Sequence, residues 1–348
     1  MTGDGNQGAR LRAAARGAAG TGRHSPQSVP RALRAAVLCL AAALTAAPAA
    51  SWAEYGAAAV GTSSGQFLKI MAGPRGAALG EAYSSLVDDA SAIDWNPAGL
   101  INIEGQSLFM MHSMYLADTS MNYVAYAQNA GEVGAWGMAA KYFSAGGITR
   151  TDENAVDMGS FTPYDVALSV GFACYVSGFN RDPEERFILG ATGKLVRSKI
   201  LASDNTISSD IGILFPYIFE NKFRLSMVAL NIMGSLRHDK EDAPLPLVLK
   251  VGSVTHLAKY LDITVDFAQP NDNYPWLALG SELRIPFGRK TRMALRAGFN
   301  TRSLTDNTGL RNIGLGAGLS HDIYSFDYSF SPQGDLGVAH RMSLTLNY

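Results

Sequence analysis

The chain has 348 residues, of which 47% are hydrophobic and 17% charged, with a formal net charge of −1 and two cysteines. This balance excludes a basic nucleic-acid surface, and two cysteines exclude both a disulfide scaffold and a cysteine-clustered metal centre. The length allows two soluble domains or one large closed sheet.

Residues 1–53 read as a leader. Arg31 and Arg34 precede AAVLCLAAALTAAPAA, a weakly apolar run that ends in small residues around Ala50 and Ala53, as in a secretory signal with cleavage near 50–53. A lone membrane helix is the alternative, but Thr45, Pro48 and the alanine-rich composition make a poor spanning segment. Residues 1–30 read either as an overextended start or as a disordered stretch. Without the leader's six basic residues and one acidic residue the net charge falls from −1 to −6. Cys39 lies in the leader, without the small-residue approach of a lipidated cysteine, and Cys174 remains alone. No Pro/Ser linker or charge block divides the rest.

Residues 54–105 form the next segment. Within GPRGAALGEAYSSLVDDASAI, residues 73–93, Leu79, Ala82, Tyr83, Leu86, Val87 and Ala90 recur at helical spacing and predict an amphipathic helix over 77–90. AIDWNPAGL, residues 92–100, then ends it. Pro97 drives Asn96 out of the helical region, the Asn96 side chain can close a local turn, and Gly99 is free to take positive φ. None of this requires catalysis.

From Gln106 onward the period changes to two. Alternation broken at turn residues predicts fourteen strands, near 107–113, 121–129, 133–143, 163–173, 186–199, 206–215, 223–230, 247–256, 260–267, 275–285, 291–300, 311–319, 322–330 and 338–347. The later ones are cleanest: Leu261, Ile263, Val265 and Phe267 oppose Asp262, Thr264 and Asp266, while Tyr324, Phe326, Tyr328 and Phe330 oppose Ser325, Asp327 and Ser329. A soluble sandwich also alternates in this way. A membrane barrel is favoured because the segments are long enough to cross when tilted, no segment after the leader could span as a helix, and a secretion signal precedes them. Backbone edges in hydrocarbon must close, so residues 106–348 are expected to form an all-β, transmembrane antiparallel barrel of about 14 strands. In GVAHRMSLTLNY, Met342, Leu344, Leu346 and the terminal Tyr348 share one face. A terminal aromatic on an alternating strand resembles the signal read by the barrel assembly machinery, which is therefore an expected partner together with outer-membrane lipid.

The stretch SSGQFLKIMAGPRGAALGEAYSSLVDDASAIDWNPAGL, residues 63–100, carries Phe67, Leu68, Gly73, Arg75, Ala77, Leu79, Gly80, Asp88, Asp89, Ala90, Trp95, Asn96, Pro97, Ala98, Gly99 and Leu100. In these it resembles the amino-terminal signature of the PorV/PorQ-like family, also catalogued as an uncharacterised family of spirochaetes and related bacteria. That family is similar to FadL-type outer-membrane long-chain fatty-acid transporters, fourteen-stranded barrels whose amino-terminal segment folds into the lumen as a hatch. The resemblance implies a hatch or gate over residues 54–105, comprising Phe67, Leu68, Arg75, Leu79, Asp88, Asp89, Trp95, Asn96, Pro97, Ala98 and Gly99. It implies a bacterial outer-membrane channel for hydrophobic compounds, with Met71, Leu79 and Trp95 as ligand contacts or core residues. The alternative it implies is a PorV-like accessory barrel of a secretion system that binds secreted proteins.

Other chemistry has less support in the sequence. A water channel needs two Asn-Pro-Ala copies at membrane half-helices, and there is one. Asp88 and Asp89 offer too few oxygens for a calcium or magnesium cage. No H-E-x-x-H, G-x-S-x-G or dinucleotide-binding glycine pattern occurs, so no enzyme, cofactor or metal is expected. A barrel hydrolase assembled from distant strands would draw first on His256, His321 and Asp322. Gly134, Gly252 and Gly314 suit close packing of a hatch or barrel curvature. Residues 144–162 and 235–246 read as polar, irregular connections that could gate, bind or merely be solvated.

Overall fold

The computed structural model describes residues 59–176, 186–238, 241–302, 311–334 and 337–348. The leader expected over 1–53 lies outside them.

The first half of the wall is built from β1 (Gln106–Met114), β2 (Ser120–Asn129), β3 (Ala135–Ser144), β6 (Tyr164–Val176), β7 (Phe187–Lys199), β8 (Ser203–Leu214) and β9 (Phe223–Leu230). The second half is built from β12 (Val248–Ala258), β13 (Leu261–Pro270), β14 (Trp276–Pro286), β15 (Thr291–Asn300), β16 (Ile313–His321), β17 (Tyr324–Pro332) and β18 (Val338–Asn347). These fourteen strands close in the order β1-β18-β17-β16-β15-β14-β13-β12-β9-β8-β7-β6-β3-β2. Every ladder is antiparallel, and the last seam pairs Ser107 with Asn347 and Met114 with His340. Tyr348 completes that seam: its N–H donates to the Gln106 carbonyl at 2.9 Å and its carbonyl accepts from Gln106 at 2.7 Å. All fourteen expected segments are wall strands.

The burial pattern separates barrel from sandwich. In β13 the side that alternation marks as polar is the buried one: Asp262, Thr264 and Asp266 are at most 2% exposed, whereas Phe267 is 43% exposed. The same inversion places Leu279, Leu295, Leu319 and Phe326 outside and Glu282, Arg296 and Asp327 inside. A sandwich buries its apolar faces; only an apolar surrounding medium makes this arrangement favourable. Aromatic side chains flank the aliphatic band, with Trp136, Tyr126 and Tyr324 toward the chain-terminal end and a stacked Tyr142–Tyr164 pair toward the other.

The expected irregular connections are more ordered than their composition suggests. β4 (Ile148–Thr151) pairs with β5 (Asp157–Phe161), and β10 (Ser235–His238) pairs with β11 (Glu241–Pro244), as two separate hairpins. Both stand at the end opposite the chain terminus, hereafter the loop end. Their short, largely polar strands, in which Leu236 of β10 is the buried apolar residue, carry no apolar alternation from which pairing could be read.

The helix expected over 77–90 does not form. Only α1 (Pro74–Ala78) is helical there, followed by turns, α2 (Ala92–Trp95) and a 3-10 turn over Pro97–Asn102. Gly80 and Glu81 at φ 65° and 75° break the helix directly after Leu79. Leu79, Ala82, Tyr83, Val87 and Ala90 are nevertheless at most 1% exposed, because the barrel surrounds the segment and leaves no solvent face to select a stripe.

Candidate functional site

Residues 59–105 occupy the lumen, and glycines in the wall let them fit. A Cβ on Gly190 of β7 would collide with the Pro97–Ala98 backbone, and one on Gly212 of β8 with the Asn96 amide. On the other side, Gly298 of β15 meets the Leu79–Gly80 peptide, Gly314 of β16 the Ala77 carbonyl, and Gly252 of β12 the Ser84 hydroxyl. Gly252 and Gly314 thus serve close packing, as their sequence setting suggested. Gly134 packs within the wall rather than against the enclosed segment: it takes φ 121° at the turn into β3, and a Cβ there would strike the Ala173 carbonyl of β6.

The AIDWNPAGL turn is a buried hydrogen-bonded unit. Trp95 Nε1 donates to the Ala72 carbonyl at 2.5 Å. Asn96 donates through Nδ2 to Ser84 O at 2.8 Å and accepts from the Ala98 N–H at 3.1 Å, capping the 3-10 turn that Pro97 begins. Gly99 packs where a side chain would strike Val87. Tyr83 meets the Trp95 ring edge-on at 5.3 Å, and Lys250 Nζ lies 4.9 Å from the Trp95 ring centroid. Met71 also sits in this core, 6% exposed.

Ion pairs fasten the segment to the wall at several heights. Lys141 of β3, 2% exposed, pairs with Asp94 at 2.7 Å and donates to Ile70 O at 3.0 Å. Arg75 contacts Asp88 within the segment and reaches Glu282 of β14 at 2.7 Å, where Arg296 of β15 also binds at 2.6 Å. Arg302 joins Glu81 at 2.6 Å and Lys69 joins Asp272 at 2.9 Å, both toward the loop end. Burial, the neighbouring Asp88 charge and weaker opposing bonds from Ser91 leave the Asp89 carboxyl raised to about 6.

Phe67 and Leu68 pack against Ala167 and Val196 of the wall and against Leu236 and Leu245 of the loop-end connection. Beside them opens a basin of about 510 Å³, lined by Phe67, Ile70, Tyr115 and Phe143 among apolar groups and by Lys69, Arg302, Arg341 and, at its rim, Lys199 among cations. Arg341 is 7% exposed; its Nη1 reaches Ser331 at 3.4 Å, its Nε has no partner, and it forms no ion pair among the described residues. A second basin of about 490 Å³ opens at the chain-terminal end and is strongly polar, lined by Arg75, Asp88, Asp89, Arg284, Arg292 and Asp327 among others. Between the basins Leu79, Tyr83, Ile93, Trp95 and Leu100 are each at most 1% exposed, so the packed segment closes the lumen at that level.

The residues considered for hydrolysis are not brought together. His256 binds Asp262 at 2.5 Å and Tyr217 at 3.3 Å, whereas His321 binds Thr291 at 2.8 Å and Asp322 pairs with Lys290 at 3.0 Å. Among the described residues no group of three or more His, Cys, Asp or Glu side chains could hold a metal ion. Sequence reasoning missed Lys141 and Arg341. Each is a cation on the polar side of an apolar-outward strand, which was the available signal.

A model of the uncharacterised protein family UPF0164 matches residues 41–172. No curated protein matches the chain. Among solved structures, the CymD monoaromatic hydrocarbon channel is 12% identical, with 80% of this chain and 98% of that chain covered at a TM-score of 0.52. The Pseudomonas putida toluene transporter TodX is 10% identical, with 79% and 96% covered at 0.50. A Pseudomonas aeruginosa FadL homologue is 10% identical, with 79% and 98% covered at 0.47. The first two likenesses establish the shared fold, and the architecture is that of a bacterial outer-membrane β-barrel.

Proposed function

We propose that this protein is a gated outer-membrane channel for hydrophobic compounds, with residues 59–105 as the hatch. The observation that carries the reading is the loop-end basin, whose floor is the hatch itself through Phe67 and Ile70. Its 510 Å³ lies within the range of small-molecule sites, and its aromatic side walls suit an apolar body. Arg341, with an unpartnered Nε, favours a compound carrying one polar or anionic end. The names of the structural neighbours, a monoaromatic hydrocarbon channel and a toluene transporter, agree with a hydrophobic cargo. Passage requires movement of the segment, because the Trp95 core closes the lumen between the two basins. In this reading Phe67 and Ile70 meet the compound at the basin floor, while Met71, Leu79 and Trp95 take the core role that the sequence also allowed and form the seal beneath it. Tyr348, 57% exposed at the closing seam, is available to the assembly machinery.

The test is uptake of labelled hydrophobic compounds into vesicles containing the intact protein or Phe143→Ala, with a polar solute as leakage control. Uptake above that of empty vesicles, reduced in the variant, is expected; uptake equal to empty vesicles across a varied panel removes the reading.

A second reading rests on a different surface. The β4–β5 hairpin exposes Ile148, Val156 and Met158 at the loop end, at 42%, 57% and 59%. Such apolar tips suit a secreted protein partner, the role implied by the PorV/PorQ-like resemblance. Binding of such a partner that survives in a channel-dead variant and disappears in Val156→Ser/Met158→Ser would favour this reading.

A further inference from the structure

The outer wall carries an asymmetry that transport through the lumen does not use. Among the described residues, ten lysines and arginines lie in the fourteen wall strands. Eight of them, Lys141, Lys194, Arg224, Lys250, Arg284, Arg292, Arg296 and Arg341, take the inward register. The two that face outward, Arg197 and Lys199, are on the same strand, β7, at its loop end. No Asp or Glu of these strands takes the outward register. Arg197 donates to Ser203 at 3.3 Å and the Lys199 ammonium lies over the Tyr164 ring at 5.6 Å; neither forms an ion pair among the described residues.

Directly below this pair the outward side of β7 continues through Leu195 to Gly193, one step of about 7 Å for every two residues. At that height the wall is concave. A groove of about 670 Å³ crosses β2, β3, β6, β7 and β8, lined by Val124, Met138, Leu168, Gly193, Leu195 and Ile207. Gly193 makes the hollow, since a Cβ there would meet nothing within 4 Å. The larger side chains around it are about half exposed or more, from Val124 at 48% to Ile207 at 67%.

We infer that this face is a binding site for an anionic lipid of the leaflet at the loop end, with an acyl chain in the Gly193 groove and the phosphate between Arg197 and Lys199. The inference does not rest on the proposed channel: Arg197 and the groove side chains line neither basin, and Lys199, which also borders the rim of the loop-end basin, takes the outward register beside Arg197. The arrangement supplies both halves of an amphipathic ligand at the correct spacing, apolar below and cationic at the interfacial level. The missing outward carboxylates leave a lipid phosphate as the counter-charge.

The probes are phosphatidylglycerol and phosphatidylcholine with identical acyl chains, offered in equal amounts to the purified protein and counted as retained lipid by native mass spectrometry. Wild type is expected to retain phosphatidylglycerol preferentially. Arg197→Ser/Lys199→Ser should lower that preference roughly fivefold for each cation removed. Gly193→Leu fills the hollow without meeting protein and should lower retention of both lipids, whereas Ala297→Leu, outward on β15, should change neither. Heat-modifiable migration confirms that each variant folds. Equal retention of the two lipids by wild type, a preference that survives the double substitution, or unchanged retention in Gly193→Leu would each overturn the site. A dimer that Gly193→Leu dissociates would instead assign the groove to a second copy and also overturn it.

Discussion

The wall and the segment inside it are stabilised by different means. The wall is a continuous set of main-chain ladders whose apolar side needs only lipid. The enclosed segment has little regular structure, and its two α-helices span five and four residues. It depends instead on side-chain complementarity: a tryptophan core, ion pairs to several strands, and glycines that make room for its backbone. A wall substitution should therefore act according to the side it faces, and the segment should be displaceable while the barrel persists.

The most severe test of that difference is the buried ion pair. Lys141→Met strands the Asp94 carboxylate inside the lumen and should cost about 3–5 kcal/mol. The loss would appear as a lower unfolding midpoint in detergent and as new protease cleavage within 59–105. Lys141→Met/Asp94→Asn should recover much of it, since no lone charge then remains buried. Wild-type stability in the single variant would mean that the segment is not held by side-chain pairing.

Glycine substitutions sharpen the contrast on a smaller scale. Gly298→Val drives a side chain into the Leu79–Gly80 peptide and should cost about 1–3 kcal/mol, with cleavage confined to the enclosed segment. Gly193→Val faces open space on the outside and should leave the segment protected. Equal protease sensitivity in the two variants would erase the distinction between inner and outer faces.

The smallest expected effect is a pH dependence localised in the segment. The Asp89 carboxyl is raised from 3.8 to about 6, so the folded state binds more protons than the unfolded state between those values. Stability therefore falls as pH rises through this window and is lowest above it. Two units correspond to roughly 3 kcal/mol, which partial solvent contact reduces to about 1–2 kcal/mol. Unfolding midpoints measured from pH 4 to 7.5 should decline in wild type and decline less in Asp89→Asn. Parallel curves for the two proteins would show that Asp89 does not carry the dependence.

The same contrast explains what the sequence could reveal. Wall strands such as Leu261–Pro270 were legible because each exposes one face to lipid and one to the lumen, which writes a period of two into the residues. The enclosed segment kept its apolar spacing at Leu79, Tyr83 and Val87 but had no solvent side, so that spacing suggested a helix that Gly80 and Glu81 prevent. Asn96 and Pro97 were correctly placed in a turn because their constraints act over neighbouring residues. The Asp94–Lys141 pair was not legible, since the partners are far apart in sequence and meet only when the barrel closes around the segment. The two loop hairpins were missed for the opposite reason: β4 and β5 are exposed on both faces, and β10 and β11 bury a single apolar side chain, Leu236, too little to write an alternating pattern.

The central claim is that residues 59–105 must move for a compound to pass. Ser84 of the segment and Ser226 of β9 place their hydroxyl oxygens 2.9 Å apart, so Ser84→Cys/Ser226→Cys in a Cys174→Ser background positions two thiols for a bridge between hatch and wall. Uptake of a labelled hydrophobic compound into vesicles should be lost when this bridge is oxidised and return on reduction, while the same background without the pair responds to neither treatment. Equal uptake in the oxidised and reduced states, with bridge formation confirmed by mass, would contradict the claim.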